Sequence, residues 1–358
     1  MSSNRDARLK RLQYNLLEWK IDAALITSFE NIRYISGFTG SSAVVIAAQN
    51  KVFFLTDSRY ITQAHDEVEG FKIIEYKKQI DEVVSLLKKI KAKDIGFEGN
   101  NINYDYYKKL KNFLANRRIF SLTEKLNAIR IKKDAAEIEI IRQAAKIGAK
   151  GFDIAKRHIR DGAVERDVAI AMEFGMRKRG AEKPSFDIIV ASGKSAALPH
   201  GRASTKKIKK GEAVVVDSGA VYKGYNSDET CTFFTGSPTR KQKEIYDIVK
   251  DAHDAAIDAV MPGVKASSID AAARGIIKKA GYGKYFGHGT GHGIGLLVHE
   301  MPKISKFDNT MLEENMVFTI EPGIYMPEWG GVRIEDMVRV TKSGCEVLTR
   351  VSKEMTVL

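Results

Sequence analysis

FGHGTGHGIGLLVHE, residues 286–300, is the stretch on which the fold turns. Glycine occupies every odd position from Gly287 to Gly295. In an extended chain one side of this run would be bare backbone, and His288, Thr290 and His292 would share the other. Bare backbone lets a neighbouring strand approach closely. Glycine in a strand also costs conformational entropy, so the run needs a compensating role. The spacing is GxGxGxGxG, which is not the GxGxxG turn of a dinucleotide-binding fold. No GK[ST] follows it, so a phosphate loop is excluded as well.

On either side of this run lie carboxylates at strand ends. Val214-Val215-Val216-Asp217-Ser218-Gly219 reads as a buried strand ending on an aspartate. After the turn-rich Tyr222 to Tyr225, Asn226-Ser227-Asp228-Glu229-Thr230 leads into a second strand. Two antiparallel strands there bring Asp217 and Asp228 together. Downstream, Thr319-Ile320-Glu321-Pro322-Gly323 places a glutamate where a strand meets a Pro-Gly break, and Val332-Arg333-Ile334-Glu335-Asp336 places another in a strand-like run. Carboxylates crowded near a core repel unless one is protonated or a cation lies between them. Four carboxylates and an imidazole suit a pair of divalent ions such as Mn, Co, Fe or Zn. Two such ions can share a hydroxide and clamp a tetrahedral intermediate.

The remainder of the 358 residues frames this region. From Arg5 to about residue 124, helical stripes (Arg5 to Trp19, Ile80 to Ile90) alternate with short apolar runs (Ala23 to Ile26, Ala43 to Ala47, Val52 to Leu55, Ala92 to Phe97), a small α/β domain. From 125 to 358 the order is two helices, then strands, twice over: helices at 134–159 and 165–179, strands at 187–191, 213–217 and 230–234, helices at 240–260 and 268–280, and strands at 317–320, 332–340 and 346–348. Gly162 and Gly263 each follow a long helix, with an aliphatic residue six positions on (Val168, Ile269), which suggests an internal duplication. The net charge of +13 comes largely from lysine clusters expected on solvated faces, and no nucleic-acid-binding signature accompanies them. No apolar run is long enough for a membrane span, the N-terminus lacks a signal-like apolar core, and two cysteines form no disulfide framework. A cytoplasmic protein with neither nucleic-acid nor membrane partners is expected.

The sequence resembles the pita-bread metallopeptidases, in the branch of Xaa-Pro aminopeptidase (aminopeptidase P) and prolidase. The resemblance rests on PHGRAS at 199–204, VVVDSGA at 214–220, SDET at 227–230, FGHGTGHGIGLLVHE at 286–300, FTIEPGIY at 318–325 and VRIEDMV at 332–338. NIRYISGFTGSSA at 31–43 and FFLTDSRY at 53–60 look like a creatinase-type N-terminal domain. The resemblance implies an α/β (α+β) fold: a creatinase-type α/β domain over 1–124 and a pita-bread catalytic domain over 125–358. It implies that Asp217 chelates the first metal, that Asp228 and Glu335 bridge two, and that His292 and Glu321 complete the second site. Manganese or cobalt is the expected metal, with zinc or iron also fitting the ligands. A metal-bridging hydroxide would attack the carbonyl before proline, with Glu321 shuttling the proton. His200, His288 and His299 would orient the peptide and stabilise the oxyanion, and Arg333 would contact a ligand or a substrate carboxylate.

The resemblance also implies peptide substrates with proline second and a homodimer. The Phe38-Thr39-Gly40-Ser41 segment inclines it toward the aminopeptidase, which releases the first residue of longer peptides. The alternative is the dipeptidase, prolidase. Metal-free creatinase-type hydrolysis and a non-catalytic pita-bread binding protein are disfavoured, because all five ligands are present. Methionine aminopeptidases usually lack the N-terminal domain. The chain departs from the family pattern at Cys231, where many relatives have Arg, and at Glu229, where they have an apolar residue. The ligands survive both changes, but a contact behind them is put in question.

Overall fold

The apolar runs of the first third pair into one sheet. The computed structural model describes residues 2–358 and divides the chain between Arg130 and Ile131. The expected boundary at 124 lies inside the short helix that ends the first unit. That unit carries strands β1 (Ala23–Ile26), β2 (Val44–Ala48), β3 (Val52–Thr56), β4 (Lys72–Glu75), β5 (Asp94–Phe97) and β6 (Arg118–Ser121), in the order β4-β3-β2-β1-β5-β6. β2 is antiparallel to β1 and β3, and the other pairings are parallel. Its helices are α1 (Ser2–Glu18), α2 (Phe29–Ser36), α3 (Ile61–Glu67), α4 (Gln79–Lys89), α5 (Tyr104–Phe113) and α6 (Thr123–Ala128). Buried Glu98 accepts hydrogen bonds from Ser28 N (2.7 Å), Ser28 Oγ (2.6 Å) and Asn31 Nδ2 (2.5 Å), tying the start of α2 to the end of β5.

Phe38 to Ser41 is used inside this unit. Phe38 is buried edge-on against Phe54, and Thr39 bonds Glu67 through both its N–H and its hydroxyl.

The second unit contains two copies of one plan. α7 (Ala135–His158) begins on a reciprocal Asp134–Glu137 cap, worth about 1 kcal/mol. It is followed by α8 (Glu165–Arg177) and by β7 (Lys183–Pro184), β8 (Ile189–Ser192), β9 (Ala213–Ser218), β10 (Ala220–Tyr222), β11 (Tyr225–Asn226) and β12 (Glu229–Phe234). The plan restarts with α9 (Arg240–Asp258), which has its own Thr239–Gln242 cap, and α10 (Ala266–Lys279). The strands that follow are β13 (Gly291–Gly293), β14 (Glu300–Ile304), β15 (Val317–Ile320), β16 (Gly323–Met326), β17 (Gly330–Arg333), β18 (Asp336–Val340), β19 (Cys345–Val347) and β20 (Thr356–Val357).

The equivalence of the halves extends to single hydrogen bonds. Gly162 and Gly263 both have left-handed backbones, at φ +80° and +82°. Gly162 N donates to Ile208 O while Ile208 N donates to Ala163 O, and Gly263, Leu312 and Val264 repeat the arrangement, each bond at 2.8 Å. Val168 and Ile269 are both buried.

Two principal sheets result, β20-β12-β9-β8 and β14-β13-β15-β18-β19, beside the smaller β11-β10-β7 and β16-β17. Residues 332–340, read from sequence as one strand, are two. β17 pairs with β16 and β18 pairs with β15, so the chain changes sheets at Ile334-Glu335. Among the described residues no helix is long and apolar enough to cross a membrane.

Candidate active site

Three sequence features bring the carboxylates together. In the β9–β12 ladder Asp217 stands opposite Thr230, and Asp228 comes just before β12 begins. Glu321 and Glu335 occupy matching corners: β15 ends at Ile320 opposite Asp336, and β16 starts at Gly323 opposite Arg333. Pro322 enforces the first corner, since it has no N–H to continue a ladder. Glu335 N donates to Thr230 O at 3.1 Å, joining the two principal sheets at the site.

The glycine run supplies the imidazoles. A Cβ at position 291 would lie 1.9 Å from Thr319 O, and one at 293 would lie 2.1 Å from Met301 O. Only glycine allows β13 this close to its neighbours. His292 is thereby seated between the sheets, its Nδ1 3.1 Å from Gly293 O and its Nε2 3.7 Å from Asp228 Oδ2 and 3.4 Å from Glu321 Oε1. Thr290 does not share the face of the two histidines. Its hydroxyl is buried and donates to Asp270 of α10 at 2.8 Å, because the run is extended only over Gly291–Gly293.

All nine residues singled out in the sequence line one cavity of about 460 Å³: Asp217, Asp228, Glu321, Glu335, His200, His288, His292, His299 and Arg333. Arg333 is buried in its wall. Its Nη2 donates to Asp217 Oδ2 at 2.6 Å, its Nη1 to Pro199 O and Tyr325 Oη at 3.0 Å, and its Nε to Thr230 Oγ1 at 3.1 Å. Thr230 Oγ1 in turn donates to Glu335 Oε2 at 2.7 Å. Both ring nitrogens of His288 are engaged within the protein, Nδ1 2.7 Å from Gly289 O and Nε2 2.9 Å from Tyr325 Oη. His200 and His299 lie more exposed on the wall, with the His299 ring 4.2 Å from that of His292.

Tyr325 went unassigned in the sequence. It lies inside FTIEPGIY, but a tyrosine two residues past a Pro-Gly corner reads as strand filler until its hydroxyl is seen between Arg333 and His288. Phe186, Asp187, Ile189, Arg202 and Val298 also line the cavity, from segments that carry no motif spacing.

The electrostatics call for a cation. Burial, compounded by Glu335, Asp217 and Glu321, pushes the Asp228 carboxyl well above the usual carboxylate range, against the pull of Arg333. Burial and then Glu321 and Asp217 do the same to Glu335, and burial raises Glu321. Three buried carboxylates and the half-buried Glu321 surround the buried guanidinium of Arg333, and Asp217 Oδ1 is buried with no hydrogen-bond partner among the described residues. Burial lowers His292 below the ordinary imidazole value, keeping it neutral with a lone pair available. Ligand atoms of Asp228, His292 and Glu335 lie within 4.8 Å of one another. This donor set, hard oxygens with one imidazole, fits divalent ions, and Asp217 and Glu321 extend it.

The chain also matches known proteins over nearly its whole length. Residues 139–342 match Metallopeptidase family M24, and residues 8–132 match the Creatinase/Prolidase N-terminal domain. A protein of Pyrococcus horikoshii named Xaa-Pro dipeptidase is 42% identical over 337 residues, 94% of each chain. The solved Xaa-Pro dipeptidase from Bacillus anthracis superposes with a TM-score of 0.96 at 41% identity, over 99% of this chain and 100% of the other. The X-Pro aminopeptidase from Thermotoga maritima superposes at 0.90 with 38% identity, over 98% and 99%. The chain therefore belongs to metallopeptidase family M24, as a pita-bread metallopeptidase with a creatinase/prolidase N-terminal domain.

Proposed function

We propose that the protein is an Xaa-Pro dipeptidase of the prolidase type, using two divalent ions, manganese or cobalt, held by Asp217, Asp228, His292, Glu321 and Glu335. The observation that carries the reading is the convergence of three buried carboxylates, the half-buried Glu321, the His292 imidazole and the buried Arg333 guanidinium on one cavity. The dipeptidase is preferred to the aminopeptidase for two reasons. Of the three relatives described, the two with higher identity bear the dipeptidase name. The segment that inclined the sequence toward the aminopeptidase is occupied with N-terminal packing, Phe38 on Phe54 and Thr39 on Glu67.

When bound, the ions would lower the pKa of water and polarise the scissile carbonyl. The protein does the rest. Glu321, raised by burial, takes a proton from the attacking water and passes it to the leaving proline nitrogen. His200 and His299 are placed on the wall to donate to the developing oxyanion. Arg333 fixes Asp217, and Tyr325 links Arg333 to His288. Phe186, Ile189 and Val298 offer apolar wall for the pyrrolidine ring. Proline has no amide hydrogen, so this wall need supply no acceptor there.

The test compares hydrolysis of Xaa-Pro dipeptides and Xaa-Pro-Yaa tripeptides by metal-stripped protein, with and without Mn or Co. Metal-restored cleavage of dipeptides alone is expected. Tripeptide cleavage at comparable kcat/KM would return the assignment to the aminopeptidase. A homodimer, implied by the family, is checked by sedimentation, where a monomer-sized species alone would exclude it.

A further inference from the structure

Glu229 and Cys231, the two departures from the family pattern, are buried but lie outside the cavity wall. Side chains alternate across a strand, so Asp228 and Thr230 face the site while Glu229 and Cys231 lie behind it. The same alternation separates Glu335 from Asp336.

One lysine meets this rear face. Lys353 Nζ is 2.6 Å from Glu229 Oε1, 3.2 Å from Asp336 Oδ1 and 3.7 Å from Cys231 Sγ. All three partners are buried, and the lysine side chain is only 7% exposed. Its position is set on several sides. β20 runs parallel to β12, Tyr246 Oη donates to Lys353 O at 3.0 Å, and Val351 N donates to Glu229 Oε1 at 2.9 Å. Thr349 Oγ1 donates to Asp336 Oδ1, and His253 Nε2 lies 3.2 Å from Asp336 Oδ2.

Glu229 belongs to β12 and Asp336 to β18, in different principal sheets. Their chain neighbours Asp228 and Glu335 are the two residues read as bridging the metals. Like charges at such range repel. In front, the sheets are joined here by the isolated Thr230–Glu335 bridge and the Thr230 hydroxyl. Resting on the metal-centre reading above, we infer that Lys353 is a positioning residue for that centre: by holding Glu229 to Asp336 behind the sheets it sets the separation of Asp228 and Glu335 in front.

The test titrates metal-stripped full-length protein with Co(II), without peptide, by calorimetry and visible d–d absorption. Lys353→Met should raise the Co(II) Kd by about 10-fold or more, the usual cost of losing a partner behind a ligand, with an altered d–d band. Lys353→Arg should restore both toward wild type. The double variant Glu229→Leu/Lys353→Met removes the buried pair, so its metal-free melting temperature should recover while its Kd stays raised, since Asp336 remains untied to β12. If the lysine only neutralises buried charge, the double variant recovers affinity along with stability. That result, wild-type affinity in Lys353→Met, or no Co(II) binding by the wild type overturns the inference. Should Lys353→Met not fold, the double variant's Kd decides. A wild type that binds Co(II) but cleaves no dipeptide would refute the proposed substrate and leave this inference standing.

Discussion

Asp228 is the residue with most at stake in the site. It is buried among Glu335, Asp217 and Glu321, and its carboxylate is tolerable only if a cation or proton offsets it. Asp228→Asn keeps the shape and removes the charge. It should lower divalent-metal affinity by more than about 100-fold, since even partners of ligands cost 10–100-fold, and abolish peptidase activity. Elemental analysis after dialysis checks this, and normal metal content with full activity would remove Asp228 from the ligand set. Arg333 shows the limit of reading single residues. Its position two residues before Glu335 suggested a ligand or substrate contact. Its bond to Asp217, a residue 116 positions away, could be seen only once the halves had folded together.

At the scale of elements, the glycine run and the helix behind β18 make separate demands. Gly291→Ala puts a methyl group against Thr319 O. Overpacking of this kind costs about 1–3 kcal/mol, and here it also moves His292. A lowered melting temperature together with weakened Co(II) binding is expected, whereas an unchanged Kd would mean β13 tolerates the shift.

His253 of α9 is the titrating contact between that helix and β18. Burial alone would lower its pKa, but the hydrogen bond to Asp254 and the carboxylate of Asp336, 3.2 Å from Nε2, outweigh burial and hold it above the ordinary imidazole value. A raised folded pKa adds stability that is fully present below the unfolded value of about 6.5. That stability is lost as pH rises through the folded value. Urea unfolding of wild type and His253→Gln should therefore differ most near pH 5.5 and converge toward pH 9. A gap that widened with pH would reverse the sign.

Most elements of the second unit were legible because their periodicity is strong and Gly162 and Gly263 recur after the long helices, and the structure adds the Asp134–Glu137 and Thr239–Gln242 caps that begin two of them. α2, α3, α5, α6 and the edge strands β4 and β6 were missed, being short and, at the edges, only partly apolar. The break at Ile334-Glu335 was invisible because Val332 to Val340 is apolar enough to read as one strand. What divides it is a change of partner sheet.

On the scale of the whole molecule, metal and fold are linked through mass action. An ion that binds only the folded state at 100 times its Kd adds roughly 2.7 kcal/mol. For a unit the size of residues 131–358 that raises the melting temperature by roughly 5–10 °C. Thermal scans with chelator and with added Mn(II) should show such a gap. Coincident curves would mean that the carboxylate cluster is balanced by protons instead.

The sequence by itself determined the donor chemistry and the plan of the second unit. Strand ends and the Pro-Gly and alternating-glycine breaks are local, so Asp217, Asp228, Glu321, Glu335 and the histidines of the glycine run could be singled out from their own neighbourhoods, and the family resemblance selected His292 among the latter. Only the tertiary structure decided the pairing of what lies far apart: Arg333 with Asp217, Tyr325 with His288, and Lys353 with Glu229 and Asp336. Those contacts depend on how two principal sheets and a C-terminal strand come to rest against one another. That register is set by packing over the whole core, which no single stretch of chain records.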